Sequence, residues 1–570
     1  MPASGDRRWT DRLPLLAQLR GATPRTLLDD AAAGVLVTAI AVPLSIGFAE
    51  VAGVPPVLGL YTCLLPLAGF ALLGSSRHLK LGLDAASAAM FAAALAPLAV
   101  STSGDPARYL SLVALLTTLV GVLTLAAGLL RLGALGQLLS LPVLVGYQAG
   151  IALSVVVGQL PKLLGTTASG DNDVLLAVDV VRSAVDTHAL TLAVSVAALG
   201  AVRLLRRTRP AVPAALLVLV AATAVSALLD LGTRGVAVVG DLPSGLPVIG
   251  LPVLSLDDVL ALLGPAAAIA LVTSADVVAT SRAFAARLRY RVDPSQDLVG
   301  LGAANVLSAL SGGLSTSASY ARTAIAERTG SRSQLSSLVA ALTMGAVLLW
   351  LTEPLAQVPR AVLAAVVVDA VLGLVDPKAF RRLFTTRRGE FLIAVFTAVG
   401  VLTLGLLWTL AAAVAWSVAL LLRRLTTAEH NVLERRSGGG WEAVRDGAPL
   451  QHVPGVLVFR WDAPLFFGNA AAFRARLLEE LDAACAHRSV DWVVLDGAAV
   501  SELDASAAVE LEMLAEELSG RGITTAVVEP DSDERRLLLR HGFGCGEDPR
   551  GLLFDRIDDA VAARRARRST

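Results

Sequence analysis

The chain has 570 residues, 55% of them hydrophobic and 17% charged, with 48 basic residues against 48 acidic ones. So small a charged fraction excludes an ordinary soluble protein over most of the length, and a formal net charge of zero gives no reason to expect a nucleic-acid partner. The cysteines, Cys63, Cys485 and Cys545, stand too far apart to suggest a disulfide framework or a metal cluster.

Residues 1–27 are polar and basic, and read as a cytoplasmic N-terminus. The first apolar run is too long for the core of a cleavable signal peptide. Apolar stretches then recur between residues 28 and 425. A helix needs about 20 such residues to span the hydrocarbon, which predicts about 14 segments, several of them short or interrupted by Gly and Pro. Loops after the even-numbered segments carry most of the bases, among them Arg203, Arg206, Arg207 and Arg209, then Arg287, Arg289 and Arg291, then Lys378, Arg381 and Arg382. The opposite loops hold scattered bases such as Arg108, Lys162, Arg234 and Arg360. By the positive-inside rule both termini are expected in the cytoplasm. With no organelle signal, the expected location is a bacterial inner membrane, crossed many times.

In the first segment, "AGVLVTAIAVPLSIGFAEVAGVPPVLGLY", Pro43 removes a helical hydrogen bond and Pro55-Pro56 forces a break. Such helices are tolerated where they face protein or a wet cavity. In "GSSRHLKLGLDAASAAM" small and basic residues lead to Gly82, and Asp84 begins a short apolar helix. "SGGLSTSASYARTAIA" repeats that design, with a short helix beginning near Ala321. These are the third and tenth segments. Paired broken segments in two halves point to the midplane binding site of an inverted-repeat transporter. Half-helix N-termini carry free N–H groups and positive dipole ends, so two that face each other attract an anion. Arg322 adds to the positive potential.

The eighth segment, "PAAAIALVTSADVVATSRAF", holds Asp276 with Thr280 one turn later. An acid within such a run is costly unless paired, protonated or wet, so function is its default reading. Plainer roles stand beside these. Asp84 and Ser319 are suited to cap helices, Arg322 could pair with Asp276 or Asp84 instead of meeting substrate, and Asp276 could sit in a simple ion pair. Glu50 reads as a helix-break residue, Asp369 is unexplained, and His78 is expected in a loop.

After Arg424 the texture becomes that of a soluble protein. Residues 426–452 read as a polar linker carrying a short hairpin or loop. Strands alternating with amphipathic helices over 453–560 predict a small α/β layer domain, and the basic tail, 561–570, is expected to be disordered. Ser506 falls at the start of a helix, which carries no regulation in the plain reading.

"PLSIGFAEVAGVPPVLGLY", "GSSRHLKLG", "TSRAFAAR", "ASYARTAIAERTGSRSQLSSLVAAL", "VLGLVDPKAFRRL" and "PGVLVFRWDAPLFFGNA", in this order, resemble the sulfate permease (SulP) family of anion transporters. The C-terminal part resembles its sulfate transporter and anti-sigma factor antagonist (STAS) domain. The resemblance implies seven-plus-seven inverted repeats, a core domain moving against a gate domain, and a homodimer. It implies an anion site at Phe48, Ser319, Tyr320, Ala321 and Arg322. Leu44 and Ala321 depart from the Gln and Ser common in the family, which shifts anion contact toward backbone N–H groups. In the sodium-coupled bicarbonate branch a pair similar to Asp276/Thr280 belongs to a cation site, joined by the position of Asp84. Hard oxygens there suit Na⁺, and two close carboxylates alternatively share a proton. Stand-alone relatives of the last domain are phosphorylated at the serine matching Ser506, although Ala507 replaces their usual glycine.

The resulting expectation is a cation-coupled importer of bicarbonate, sulfate or a small dicarboxylate, with Na⁺ or H⁺ as coupling ion and no other cofactor. The alternatives are exchange without coupling, or a membrane-tethered STAS module acting through a cytoplasmic partner. No nucleophile, metal or cofactor constellation suggests an enzyme.

Overall fold

The computed structural model describes residues 14–569 apart from 20–21, 102–104, 134–140, 169, 171, 210–211, 251–254, 387, scattered positions between 406 and 428, 437–439, 444–449, 501, 531 and 545–550. The chain divides into two compact units, Met1–Ser417 and Val418–Thr570.

The first unit is helical. In chain order it comprises α1 (Pro14–Leu19), α2 (Pro24–Val51), α3 (Pro56–Tyr61), α4 (Leu65–Leu73), strand β1 (Leu81–Gly82), α5 (Ala85–Ser101), α6 (Pro106–Leu129), α7 (Leu141–Leu164), α8 (Asp173–Arg182), α9 (Ala189–Thr208) and α10 (Ala214–Leu229). There follow α11 (Leu256–Arg287), α12 (Pro294–Leu310), strand β2 (Ser317–Ala318), α13 (Tyr320–Arg328), α14 (Leu335–Trp350), α15 (Thr352–Ala356), α16 (Arg360–Leu372), α17 (Pro377–Thr386) and α18 (Arg388–Thr403). Six stretches among the described residues are long and apolar enough to cross a membrane: α2, the run from α3 through α4, α6, α7, α9 and α11. The last expected segment, near 406–424, lies largely outside the described residues. Thr23 caps α2 in a reciprocal capping box. The helix runs through Pro43 and stops at Val51, before the Pro55-Pro56 pair that opens α3.

Packing sorts these helices into two bundles. In the first, α2 lies on α14 and α11 on α6, α6 on α12 and α14 on α4, α13 on α2 and α5 on α11. Each pairing has its counterpart with the two halves of the chain exchanged, the signature of an inverted repeat. The second bundle joins α7 with α16 and α18, and α9 with α10 and α16. The bundles meet where α2 touches α10 and α16, and where α5 touches α7. Apolar residues such as Val220 and Leu228 on α10, and Leu392 and Phe396 on α18, remain exposed, as they must where lipid is the solvent.

The second unit is a seven-stranded sheet, ordered β4-β3-β6-β7-β8-β9 with β5 also on β3. The strands are β3 (His430–Arg436), β4 (Trp441–Ala443), β5 (Leu450–Gln451), β6 (Gly455–Trp461), β7 (Val490–Asp496), β8 (Thr524–Val528) and β9 (Leu552–Phe554). β6 through β9 are parallel, and β3 runs antiparallel to β6. The helices are α19 (Ala470–Cys485), α20 (Ala505–Gly520), α21 (Ser532–Arg540) and α22 (Ile557–Ser569). Two differences from the sequence reading have clear causes. The stretch read as a linker with a short hairpin or loop supplies the hairpin β3–β4 and also β5, and β3 goes on to pair with β6 inside the sheet; its mostly polar, half-buried residues leave no apolar run to mark it. The tail read as disordered is helical through Ser569: Ile557, Ala560 and Val561 bury one stripe against the sheet, and Arg564 extends that face by pairing with Asp491 at 2.5 Å.

Candidate anion and cation site

β1 and β2 are the extended leads into the two short helices, and they pair with each other. Leu81 faces Ala318 and Gly82 faces Ser317 in an antiparallel ladder, and the Ser319 N–H donates to the Lys80 carbonyl at 2.9 Å. The ladder brings the N-termini of α5 and α13 together from opposite directions. Each start is capped alike. The Asp84 carboxylate accepts from the Ser87 N–H at 2.9 Å, and the Ser319 hydroxyl faces the Arg322 N–H at 3.5 Å. Both caps act three residues ahead, so the two helix starts share one register.

The Arg322 side chain is 1% exposed. Its guanidinium donates to the carbonyls of Leu83 (3.1 Å) and Leu81 (3.4 Å), and reaches the Ser45 hydroxyl (3.4 Å) and Cys63 Sγ (3.6 Å). It makes no ion pair with Asp84 or Asp276. Arg322, on α13, therefore straps the backbone leading into α5, and its Nε has no hydrogen-bond partner. Gly82 makes this approach possible, since a Cβ there would overlap Nη1 of Arg322.

Asp276, on α11, lies close enough to Asp84 for their charges to interact, and the Ser317 hydroxyl stands beside its carboxyl. That hydroxyl completes no hydrogen bond. Both acids are half-buried although flanked by sealed residues, as are Thr280, Ser319 and Leu44. Tyr320 and Ala321 are exposed at the first turn of α13, with the Tyr320 ring 5.1 Å from that of Phe284. Phe48 is buried in the cluster that holds Leu83, Ala85 and Ala86, and so packs at the root of α5.

Three contributors were not legible in the sequence. Tyr147, on α7 of the second bundle, is buried with its phenol in the field of both Asp84 and Asp276. It was one polar aromatic in an apolar run, with nothing to say which face it occupies. Ser45 and Cys63, 3.0 Å apart, sit under Arg322. Elsewhere, Asp369 pairs with Arg206 at 2.7 Å and Arg203 at 3.6 Å, and His78 lies in a buried loop on the Ser331 carbonyl.

The arrangement joins converging helix starts, a buried cation and two acids at one backbone crossing. A sulfate permease family model matches residues 27–397, and a STAS domain model matches residues 448–560. The chain belongs to the sulfate permease family. A probable sulfate transporter of Mycobacterium tuberculosis is 40% identical over 97% of this chain and 98% of its own. Sulfate transporter 3.1 of Arabidopsis thaliana is 28% identical, covering 94% of this chain and 84% of that one. The fold matches murine Solute Carrier 26 family member A9, an anion transporter in the inward-facing state, with a TM-score of 0.89 at 22% identity over 99% of this chain and 96% of that one. The transmembrane domain of a cyanobacterium bicarbonate transporter matches 69% of this chain and 98% of its own, with a TM-score of 0.61 and 26% identity. This sulfate permease family member is thus a polytopic membrane anion transporter with a C-terminal STAS domain.

In that domain Ser506 is exposed in the first turn of α20. Asp504 already caps this helix, accepting from the Ala507 N–H at 2.7 Å. A phosphate on Ser506 would meet that carboxylate instead of a free helix start.

Proposed function

We propose that this transporter carries sulfate into the cell, coupled to Na⁺ or H⁺, by moving the first bundle against the second. The pairing of β1 with β2 carries the reading: it converges two helix starts, whose positive ends suit a doubly charged oxyanion. Backbone N–H groups at Tyr320 and Ala321 supply the anion contacts, and Phe48 walls the site from α2. Arg322 acts on the anion through its field and through the strand it holds. Asp84 and Asp276, with the Thr280 and Ser317 hydroxyls nearby, offer hard oxygens for Na⁺ or a shared place for H⁺. Binding the cation screens two negative charges that otherwise repel the anion, which makes each solute favour the other. Sulfate is preferred over bicarbonate or a dicarboxylate because the relative at 40% identity is named for sulfate. Both termini lie in the cytoplasm in this reading, two copies form the working dimer, and the STAS domain serves a cytoplasmic partner.

A panel of radiolabelled sulfate, bicarbonate and succinate offered to proteoliposomes tests the substrate. Saturable sulfate uptake that unlabelled sulfate suppresses is expected. Uptake of all three at the level of empty liposomes rejects the reading.

A further inference from the structure

Among the buried acids outside that site, Glu50 is paired across the two bundles. Glu50 stands one residue before the end of α2, with its side chain 8% exposed. Its Oε2 is 2.8 Å from Lys162 Nζ, near the end of α7, and its Oε1 is 3.8 Å from Arg360 Nε, the first residue of α16. Oε1 accepts no hydrogen bond. α2 belongs to the first bundle, and α7 and α16 to the second, so this ion cluster spans the seam along which the bundles must slide. By contrast, Arg108–Asp258 and Arg287–Glu327 stay within the first bundle, and Arg206–Asp369 within the second. Arg360 is fixed on its own side by donating to the Val238 carbonyl at 3.1 Å.

The cluster also has a sidedness. With the N-terminus inside, the end of α2 lies at the outer face, whereas Tyr320, 59% exposed, packs at a tilt against Phe284 near the cytoplasmic end of α11. The site is accessible from one side while the opposite end is held by charge. A carboxylate left buried and unpaired is expensive, so the cluster opens only if water or another anion replaces one of its members.

Resting on the transport reading, we infer that Glu50 is a tethered carboxylate that closes the outer end of the pathway by occupying Lys162 and Arg360. When the bundles part, these two cations become the first station for an incoming anion, which takes the place of the carboxylate while Glu50 hydrates. Glu50, Lys162 and Arg360 are positioning and selecting residues, distinct from the central site.

The test places a cysteine at the half-buried Leu44 in the full-length chain and applies a membrane-impermeant thiol reagent to intact cells, with the parent chain as background. Glu50→Gln is expected to speed external labelling roughly tenfold, as loss of a state-specific contact shifts the population. The charge swap E50K with K162E is expected to return the rate toward that of the Leu44→Cys chain. If Glu50→Gln fails to reach the membrane, K162Q with R360Q replaces it, with the same acceleration expected. That pair should also raise KM for external sulfate more than it lowers kcat. Labelling unchanged from the Leu44→Cys chain, in protein present at normal abundance, overturns the inference. Labelling requires no flux, so a chain that gates but moves no sulfate contradicts the proposed substrate and leaves the latch standing.

Discussion

Gly82 and Ser317 face each other across the two-strand ladder, and each lies two residues before the cap of a short helix, Asp84 for α5 and Ser319 for α13. An axis through that pair exchanges the two helix starts. The local symmetry matches the exchanged packing of the longer helices, so the site sits where the two halves of the chain cross. This is why loose backbone at this depth is tolerated: its polar groups pair across the crossing or face a cavity.

Gly82→Ala should damage the site through Arg322. The added methyl overlaps the guanidinium, and overpacking of this kind costs about 1–3 kcal/mol. A lower unfolding temperature in detergent is expected, with weaker sulfate binding by calorimetry. Wild-type values for both would show that the strap from α13 to Leu81 and Leu83 does not set the site.

Asp84 has two separable roles. Asparagine caps as well as aspartate does, whereas alanine costs about 1 kcal/mol at such a position. Asp84→Asn should therefore keep the unfolding temperature of the parent and lose cation-dependent uptake. Asp84→Ala should lose both. Equal uptake by Asp84→Asn and the parent would make Asp84 a cap alone.

Tyr147→Phe removes one hydroxyl from the field of both acids, leaving the ring and its packing in place. The hydroxyl's only described partner is the Met90 sulfur at 3.7 Å, so little stability should be lost. A change of roughly two- to tenfold in the apparent affinity for the coupling ion is expected, in the range of about 0.5–1.5 kcal/mol for one hydrogen-bonding group. Uptake titrated with Na⁺ and across pH reads it out.

The last helix depends on Arg564. Its side chain is 7% exposed and donates to both oxygens of Asp491; a hydrogen bond to a charged group contributes about 1.5–3 kcal/mol. Arg564→Ala should raise amide hydrogen exchange throughout Ile557–Ser569 in the full-length protein. Unchanged protection would leave the apolar stripe and the contacts of Asp558 with Trp441 and Arg435 as the anchors.

The sequence showed the two broken segments, because Gly, Ser and Thr running into a short apolar helix is a pattern of composition. It showed Asp84, Asp276 and Arg322 for the same reason: a charge among apolar residues is conspicuous. What Arg322 touches was not legible, since its partners at Leu81 and Leu83 are backbone carbonyls, about which a side-chain alphabet is silent. Asp369 and Glu50 stood out as acids, yet their partners Arg206, Lys162 and Arg360 are brought near only by the fold. The tail failed for another cause. Its many arginines outweighed Val561, and only the sheet face that buries Ile557, Ala560 and Val561 shows that the helix has somewhere to pack.

The most direct measurement is accumulation of radiolabelled sulfate in proteoliposomes with Na⁺ and H⁺ gradients imposed singly, together and not at all, for the wild-type chain and Asp276→Asn at equal incorporation. Uphill accumulation in the wild type under one of the gradients, its collapse when both are abolished, and a drop of at least about tenfold in Asp276→Asn are expected. Accumulation that persists without either gradient, or full coupled uptake by Asp276→Asn, contradicts a cation held beside the paired helix starts.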